Sequence, residues 1–257
     1  SLSTHTLTLT GTNTYAGTTT VSGGILQVGR AGTGTTGTGA VSLQSGATLL
    51  GTGIVRGSSF TAESGSTMHV GDSTSAGSFG TLNFTPASAS GSTSSLQGTL
   101  ILGLSGATLT DATYGGNALG SAGYNAWLDG VTGVGAHDRL ALNNPVAGTG
   151  YSLDFLTLTG SLQVVGSDFT PADGQVFNLL DWGSVSASGF NAGTGFTSGG
   201  VFGDFVLPDL TSLNFAWDTS AFSTYGILVV VPEPSRMLLV LFGLLGLFFR
   251  RRRRNGI

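Results

Sequence analysis

Apolar and small polar residues alternate along most of the chain. The clearest stretches lie at Leu7–Leu9, Val41–Leu43, Leu100–Leu104 and Leu156–Leu158. Because successive side chains of a strand point to opposite faces, a period of two predicts half-buried β-strands rather than helices. We therefore predict inward-pointing side chains at Leu26, Val28, Leu43, Leu49, Leu102, Leu104, Leu109, Leu156 and Leu158.

A glycine-bounded phrase recurs within this pattern. It is GILQVG at 24–29, GATLLG at 46–51, GSTMHVG at 65–71 and GATLT at 106–110. The spacing of these phrases indicates a period of roughly 20 residues, with one interval of about twice that length. That period predicts an all-β, right-handed parallel β-solenoid (β-helix) of roughly ten coils. A leucine-rich repeat has a similar period, but its helical segment and fixed asparagine are missing.

The composition supports strands and excludes several kinds of site. Gly, Thr and Ser fill 109 of the 257 positions, and glycine and threonine are both poor helix formers. The absence of cysteine excludes disulfides, thiolate zinc sites and cysteine nucleophiles. No leader precedes Ser1, so we expect a mature form or a fragment.

Charge and aromatic content divide the chain into three parts. Residues 1–231 carry three arginines against twelve acids, whereas residues 232–257 carry six arginines and one acid. An acidic body with scattered cations is a poor partner for nucleic acid. Aromatic residues concentrate in 151–231, where a cap would close the stack. We predict solenoid coils in 1–110, further coils and an aromatic-rich cap in 111–231, and a separate tail in 232–257.

The first part resembles a known repeat. Residues 7–29 (LTLTGTNTYAGTTTVSGGILQVG) are similar to the autotransporter-associated β-strand repeat, including the GTNTY turn at 11–15. Residues 46–84, HDRLAL at 137–142 and the run 169–231 are similar to later parts of such passenger proteins. The resemblance implies a right-handed β-solenoid in an exported protein, and it implies no reaction.

The tail resembles the PEP-CTERM sorting signal. Pro232, Glu233 and Pro234 precede the apolar run MLLVLFGLLGLFF at 237–249. As one short transmembrane helix, this run spans about 20 Å, less than the ~30 Å hydrocarbon core. The orientation-setting cations that follow it should stay cytoplasmic; they are Arg250, Arg251, Arg252, Arg253 and Arg254. The resemblance implies transient anchoring in the inner membrane and cleavage near Pro-Glu-Pro by an exosortase-type membrane peptidase. A plain membrane anchor is the alternative.

Candidate chemistry is sparse. His69 with Asp72, and His137 with Asp138, are close His–carboxylate pairs, which we interpret as solvated turn residues because no third group accompanies them. Acids one repeat apart could stack across a glycosidase groove, as in Asp111 with Asp129 and Asp154 with Asp173. No calcium, phosphate or other cofactor motif is complete, and we predict no catalytic residue, metal or cofactor.

These observations favour an exported, non-enzymatic structural protein of the envelope or extracellular polysaccharide matrix (a biofilm component). The alternative is an adhesin that binds carbohydrate or cells through Trp182, Trp217 and Tyr225. A polysaccharide lyase or hydrolase on the same scaffold is a third reading. A groove with converging carboxylates would indicate the enzyme, exposed aromatic rings the adhesin, and a flat Thr/Ser ladder the structural protein.

Overall fold

The described part of the chain is mostly β, with few helices. The computed structural model describes residues 5–73, 79–85, 94–105, 116–118, 121–129, 137–142, 156–166, 169–182, 189–193 and 195–233. Its helices are α1 (Ala122–Asp129), α2 (Phe222–Tyr225) and a 3-10 turn at Thr211–Leu213. The prediction of a β fold is confirmed for these residues.

The largest sheet has eight strands. Their spatial order is β1 (Thr6–Leu9), β3 (Gly24–Val28), β5 (Ala47–Gly51), β8 (Thr67–Val70), β11 (Thr99–Leu104), β14 (Ser161–Gly166), β19 (Phe205–Leu207) and β18 (Gly200–Phe202). The first seven strands run parallel in sequence order, and β18 turns back antiparallel on β19. Parallel pairing, as the repeats predict, is therefore confirmed.

Two smaller parallel sheets accompany the first. One has five strands: β13 (Leu156–Leu158), β10 (Ser94–Leu96), β7 (Phe60–Ala62), β4 (Val41–Leu43) and β2 (Thr19–Val21). The other has four: β16 (Leu180–Trp182), β12 (Arg139–Leu142), β9 (Thr81–Phe84) and β6 (Ile54–Val55). From β4 to β14 the chain passes through the five-, eight- and four-stranded sheets in that fixed order.

The length of chain between stacked strands is not constant. In the eight-stranded sheet Thr6 is the register partner of Ile25, whereas Thr99 is the partner of Ser161, which lies much further along the chain. We call one passage of the chain through the three parallel sheets a circuit. Long segments between strands account for the difference, because they lengthen a circuit without adding a strand to the eight-stranded sheet. The sequence predicts roughly ten coils, whereas the largest sheet of the described residues contains seven successive parallel strands.

A fourth sheet is antiparallel and lies within the aromatic-rich part of the sequence. Its strands are β15 (Val176–Asn178), β21 (Ile227–Pro232), β20 (Phe215–Asp218) and β17 (Phe196–Thr197). Tyr124 of α1 packs against Val176, Ile227 and Val229 of this sheet. The change from parallel to antiparallel pairing is compatible with the predicted cap.

The core lies between the sheets and follows the predicted alternation. Leucines and valines of the strands form one cluster with phenylalanines such as Phe60, Phe84 and Phe205. Of the predicted inward residues, those confirmed as buried are Leu26, Val28, Leu43, Leu49, Leu102, Leu104 and Leu158. Leu109 and the side chain of Leu156 lie outside the described residues.

The predicted membrane segment is not part of this description. Pro234, the apolar run at 237–249 and Arg250–Arg254 lie outside the described residues. Within the described ranges, no helix has the length and apolar character needed to cross a membrane.

Candidate functional site

One set of turns is short in each circuit that passes from the five-stranded to the eight-stranded sheet. The turns from the five-stranded to the eight-stranded sheet are the brief segments 22–23, 44–46, 63–66, 97–98 and 159–160. Stacking there is close: a Cβ on Gly98 would collide with the Ser66 carbonyl, and one on Gly160 with the Gly98 carbonyl. By contrast, the whole segment 105–138 separates β11 from β12. We call the short turns the smooth corner.

Rows of hydroxyl side chains flank the smooth corner. The middle residues of the strands of the five-stranded sheet are in register and all carry a hydroxyl group: Thr20, Ser42, Thr61, Ser95 and Thr157. Thr20 and Thr61 are exposed and Ser42 and Ser95 half-buried, while their strand neighbours Val41 and Leu43 point into the core. We call these five residues the hydroxyl row.

A second row lies across the smooth corner, on the eight-stranded sheet. It contains Thr48, Thr67, Thr99 and Ser161, all half-buried and in register. The hydroxyl oxygens of Thr99 and Ser161 are 3.1 Å apart and share a hydrogen bond. Strands in a sheet are spaced by about 4.8 Å, so both rows repeat at that interval. These two rows form a Thr/Ser ladder, which is one of the three surfaces that the sequence left open.

The two His–Asp pairs are not solvated, which corrects the sequence-based interpretation. His69, His137 and Asp138 are buried, and Asp72 is half-buried. The Asp138 carboxylate accepts hydrogen bonds from the backbone N–H groups of Gly103 at 2.7 Å and Gly80 at 2.9 Å. Asp138 therefore ties β11 to the segment that leads into β9.

Asp72 connects neighbouring turns in a similar way. Its Oδ1 accepts from the Thr52 hydroxyl at 2.6 Å, and its Oδ2 accepts from the Ala31 N–H at 2.7 Å. The Gln27 side-chain amide also donates to the Asp72 carbonyl at 3.1 Å. Both carboxylate oxygens are thus engaged with the protein itself, as an acid that fixes turns requires.

Burial shifts the pKa values of these groups in opposite directions. It raises the pKa of Asp138 to about 7, with the Asp72 charge adding to the rise and the Gly103 and Gly80 N–H groups opposing it. It lowers the pKa of His137 to about 4, although a hydrogen bond to the Asn178 backbone opposes that shift. Burial also lowers the pKa of His69.

A carboxyl group that titrates near neutrality could serve as a general acid or base only if it reached a substrate. Asp138 is almost fully buried, and its two oxygens already accept backbone N–H groups. The other predicted acid pairs are incompletely described, because Asp111, Asp154 and the side chain of Asp129 lie outside the described residues. Among the described residues, no group of three or more His, Asp or Glu side chains could hold a metal ion.

The aromatic residues proposed for an adhesin are only partly compatible with that role. Trp217 is buried, which corrects the expectation of a surface residue: its ring stacks on Phe169 at 5.7 Å, and its Nε1–H donates to the Pro208 carbonyl. Tyr225 is half-buried and packs edge-on against Tyr124 at 5.3 Å. The side chain of Trp182 lies outside the described residues.

Among the described residues, the exposed large aromatics are two that the sequence analysis does not propose as ligand contacts. Tyr15 is 39% exposed and Phe196 is 55% exposed. Alternation alone could not identify them, because both lie in short or irregular segments.

The first two residues of the Pro-Glu-Pro motif belong to the folded body. Pro232 ends β21 and lies opposite Phe215 of β20. The backbone N–H of Glu233 donates to the Asn214 carbonyl at 3.1 Å. No linker of described residues separates the motif from the antiparallel sheet.

The comparisons with known proteins bear on the first strands. Residues 4–28 match the family model of the passenger-associated-transport-repeat. No curated protein and no solved structure matches the chain. The match supports the resemblance to autotransporter-associated repeats and indicates a secreted, surface passenger-type protein.

The passenger-associated repeat covers β1, β2 and β3. Within it, Asn13 fixes the turn against the next circuit: its side-chain amide donates to the Thr35 carbonyl at 2.7 Å, and its backbone N–H donates to the Thr35 hydroxyl at 3.0 Å. Asn13 thereby holds the repeat against the circuit of chain that follows it.

Proposed function

We propose that this chain is an exported, non-enzymatic surface protein whose body is a three-faced, right-handed parallel β-solenoid. The fixed order in which the chain visits the three parallel sheets supports the solenoid. Right-handed crossovers follow from the general preference of parallel connections. The passenger-associated repeat at residues 4–28 supports export to the surface.

The observation that carries the structural role is the hydroxyl row beside the smooth corner. Its exposed members, Thr20 and Thr61, are neutral groups that both donate and accept hydrogen bonds. Such a surface remains hydrated and compatible with the hydroxyl groups of a surrounding exopolysaccharide. The acids Asp72 and Asp138 are instead used to hold turns together.

The C-terminal segment serves, in this proposal, as a PEP-CTERM sorting signal. An exosortase-type peptidase of the inner membrane would recognise Pro232, Glu233 and Pro234, while Arg250–Arg254 hold the tail in its orientation. The body is then released to the cell surface or matrix.

Only some cleavage positions would leave the folded body intact. Ile227–Val230 are buried between β15 and β20, and Pro232 and Glu233 still pair with the β20 side of the sheet. A cut before β21 would remove a central strand of the antiparallel sheet. The mature protein should therefore retain β21 and end at or beyond Glu233.

Mass spectrometry of the mature C-terminus, in cells that contain an exosortase-type peptidase, tests the proposal. We expect a body that ends near Glu233 and lacks Arg250–Arg254. Replacing Pro232, Glu233 and Pro234 by alanine should leave uncut protein in the membrane fraction, whereas Glu63→Ala should be processed normally. Normal processing of the triple variant, or a native protein that retains its arginines, would leave a plain anchor as the explanation.

A further inference from the structure

An open groove lies beside the last residues of β14 and β19. Its volume is about 520 Å³, which is within the usual range of binding pockets. Apart from Asp209 and Gly166, every lining side chain is apolar, and the lining includes Val165, Phe169, Leu207, Pro208, Leu210 and Leu213. Leu213 is 45% exposed. The structural role proposed above makes no use of this groove.

The groove is preformed, because a buried tryptophan holds two of its lining residues. The Trp217 Nε1–H donates to the Pro208 carbonyl at 2.9 Å, and the Trp217 ring stacks on that of Phe169 at 5.7 Å. The Phe169 ring also packs edge-on against Phe177 at 5.5 Å. A segment that binds in the groove therefore does not have to order these side chains, which lowers the entropic cost of binding.

The chain leaves the antiparallel sheet beside this groove. The backbone N–H of Glu233 donates to the Asn214 carbonyl at 3.1 Å, and Asn214 directly follows Leu213 in the sequence. The apolar run at 237–249 begins four residues after Glu233. Because four residues of extended chain reach up to about 14 Å, the beginning of the run can reach the groove without a change in the body.

The charges at the groove and at the start of the run are of opposite sign. Asp209 is the charged residue of the lining and is fully exposed. Its Oδ1 accepts from the Thr211 N–H at 2.9 Å and from the Thr211 hydroxyl at 2.6 Å. These bonds lower the pKa of Asp209, so its carboxylate is ionised at neutral pH. Arg236 directly precedes the apolar run, so a tail that enters the groove brings a cation to this anion.

We propose that, before membrane insertion, the groove binds the first residues of this chain's own apolar run, MLLV at 237–240. Met237 then lies beside Leu213, and Arg236 pairs with Asp209. A groove of this size covers a few side chains rather than the whole run. A lipid bilayer covers the whole run and therefore displaces this contact. The groove thus shields the start of the run in water and releases it to the membrane.

This contact requires no peptidase, and it applies equally to a tail that serves as a plain anchor. One consequence rests on the proposed function: residues 234–236 would lie against the body until the membrane takes the run, so cleavage would follow insertion. The contact is tested on the uncut protein. Its failure would therefore leave the sorting proposal standing, because the mature C-terminus tests that proposal separately.

Cysteine pairs in the full chain test the contact. The chain has no cysteine, so the double variant Leu213→Cys/Met237→Cys can form only one internal disulfide. Ser212→Cys/Met237→Cys is the matched control, because Ser212 is exposed and lies in the same 3-10 turn but does not line the groove.

Mild oxidation is followed at low protein concentration, directly after dilution below the critical micelle concentration. The Leu213 pair should close within one chain roughly tenfold faster than the Ser212 pair, because only the groove holds the two Cα atoms within disulfide reach. Micelles of a mild non-ionic detergent should abolish this difference, since they take up the run.

A charge reversal tests the ion pair. In the Leu213→Cys/Met237→Cys chain, Arg236→Glu should slow closure roughly threefold, because an exposed attractive pair becomes a repulsive one. Arg254→Glu is the matched control: it changes the net charge equally but lies beyond the run, and it should leave the rate unchanged.

Four outcomes would overturn the proposal. The first is an equal rate of closure for the Leu213 and Ser212 pairs. The second is a disulfide that joins two chains, which would mean that the run associates between copies. The third is a rate that micelles leave unchanged, because such a contact would not release the run to a membrane. The fourth is equal slowing by Arg236→Glu and Arg254→Glu, which would replace the pairing with Asp209 by a general attraction.

Discussion

Asp138→Asn is the substitution that tests the interior of this fold most directly. The native carboxylate accepts the N–H groups of Gly103 and Gly80 with one oxygen each. The asparagine amide offers one oxygen and one NH₂ group, so one backbone N–H would face another donor. An unsatisfied buried donor costs about 1–3 kcal/mol. At pH 8, where the wild-type carboxyl is ionised, we therefore expect Asp138→Asn to lower the free energy of unfolding by about 1–3 kcal/mol, and Asp138→Ala, which leaves both donors unsatisfied, by about 2–6 kcal/mol.

The pH dependence of that cost has a definite sign. Burial raises the pKa of Asp138 in the folded protein to about 7, above its unfolded value of 3.8. The stability contributed by this group is therefore fully present below pH ~4 and is lost as the pH rises through about 7. Asn does not titrate, so the difference in stability between wild type and Asp138→Asn should be larger at pH 4 than at pH 8.

Urea unfolding at both pH values, followed by tryptophan fluorescence, measures these differences. Asp209→Asn is the control, since Asp209 is fully exposed and its Oδ1 bonds to Thr211 survive in an asparagine. A larger cost at pH 8 would refute the reasoning, because it would mean that the two N–H bonds favour the carboxylate more than burial disfavours it. An unchanged midpoint at both pH values would show that Asp138 does not hold β11 to the segment leading into β9.

Further predictions concern the core, the neighbouring histidine and activity. Leu104→Asp should cost several kcal/mol because it places an unpaired charge at a fully buried position, whereas Thr61→Asp on the exposed hydroxyl row should leave the urea midpoint nearly unchanged. Burial lowers the pKa of His137 to about 4, so the stability that this histidine contributes is lost as the pH falls below about 6.5. The variant His137→Gln should therefore lose less stability than the wild type between pH 6.5 and 4. Purified protein should give no product from pectin, alginate, cellulose or peptides; turnover abolished by one Asp→Asn change would contradict the non-enzymatic proposal.

The sequence predicts strands and their inward faces well, because alternation is a local property of the chain. Leu43, Leu49 and Leu102 are buried as the period of two requires. The length of chain in each circuit is predicted poorly, since it depends on which distant strands pair. Nothing local indicates that Thr99 and Ser161, which are far apart in the sequence, are neighbours in the sheet.

In the candidate site, too, the sequence predicts local features but not those that depend on packing. The hydroxyl row could be expected from the abundance of Thr and Ser at alternate positions. The burial of Asp138 could not, because a His–Asp dipeptide looks alike at a solvated turn and between two stacked strands. The interpretation of Trp217 as a surface residue fails for a similar reason: the sequence shows that an aromatic residue is present, but only the packing of Phe169 and the Pro208 carbonyl places it inside.

The smooth corner explains why insertions accumulate elsewhere. Its turns continue the ladder of backbone hydrogen bonds: the N–H of Gln44 donates to the Val21 carbonyl, that of Glu63 to Leu43, and that of Gln97 to Ala62. An added residue there would break backbone hydrogen bonds to both adjacent circuits. Extra chain in a connection without such a ladder costs only its loop closure, which grows slowly with length. The smooth corner therefore keeps the surface beside it regular, and that regular surface is the one that carries the hydroxyl row.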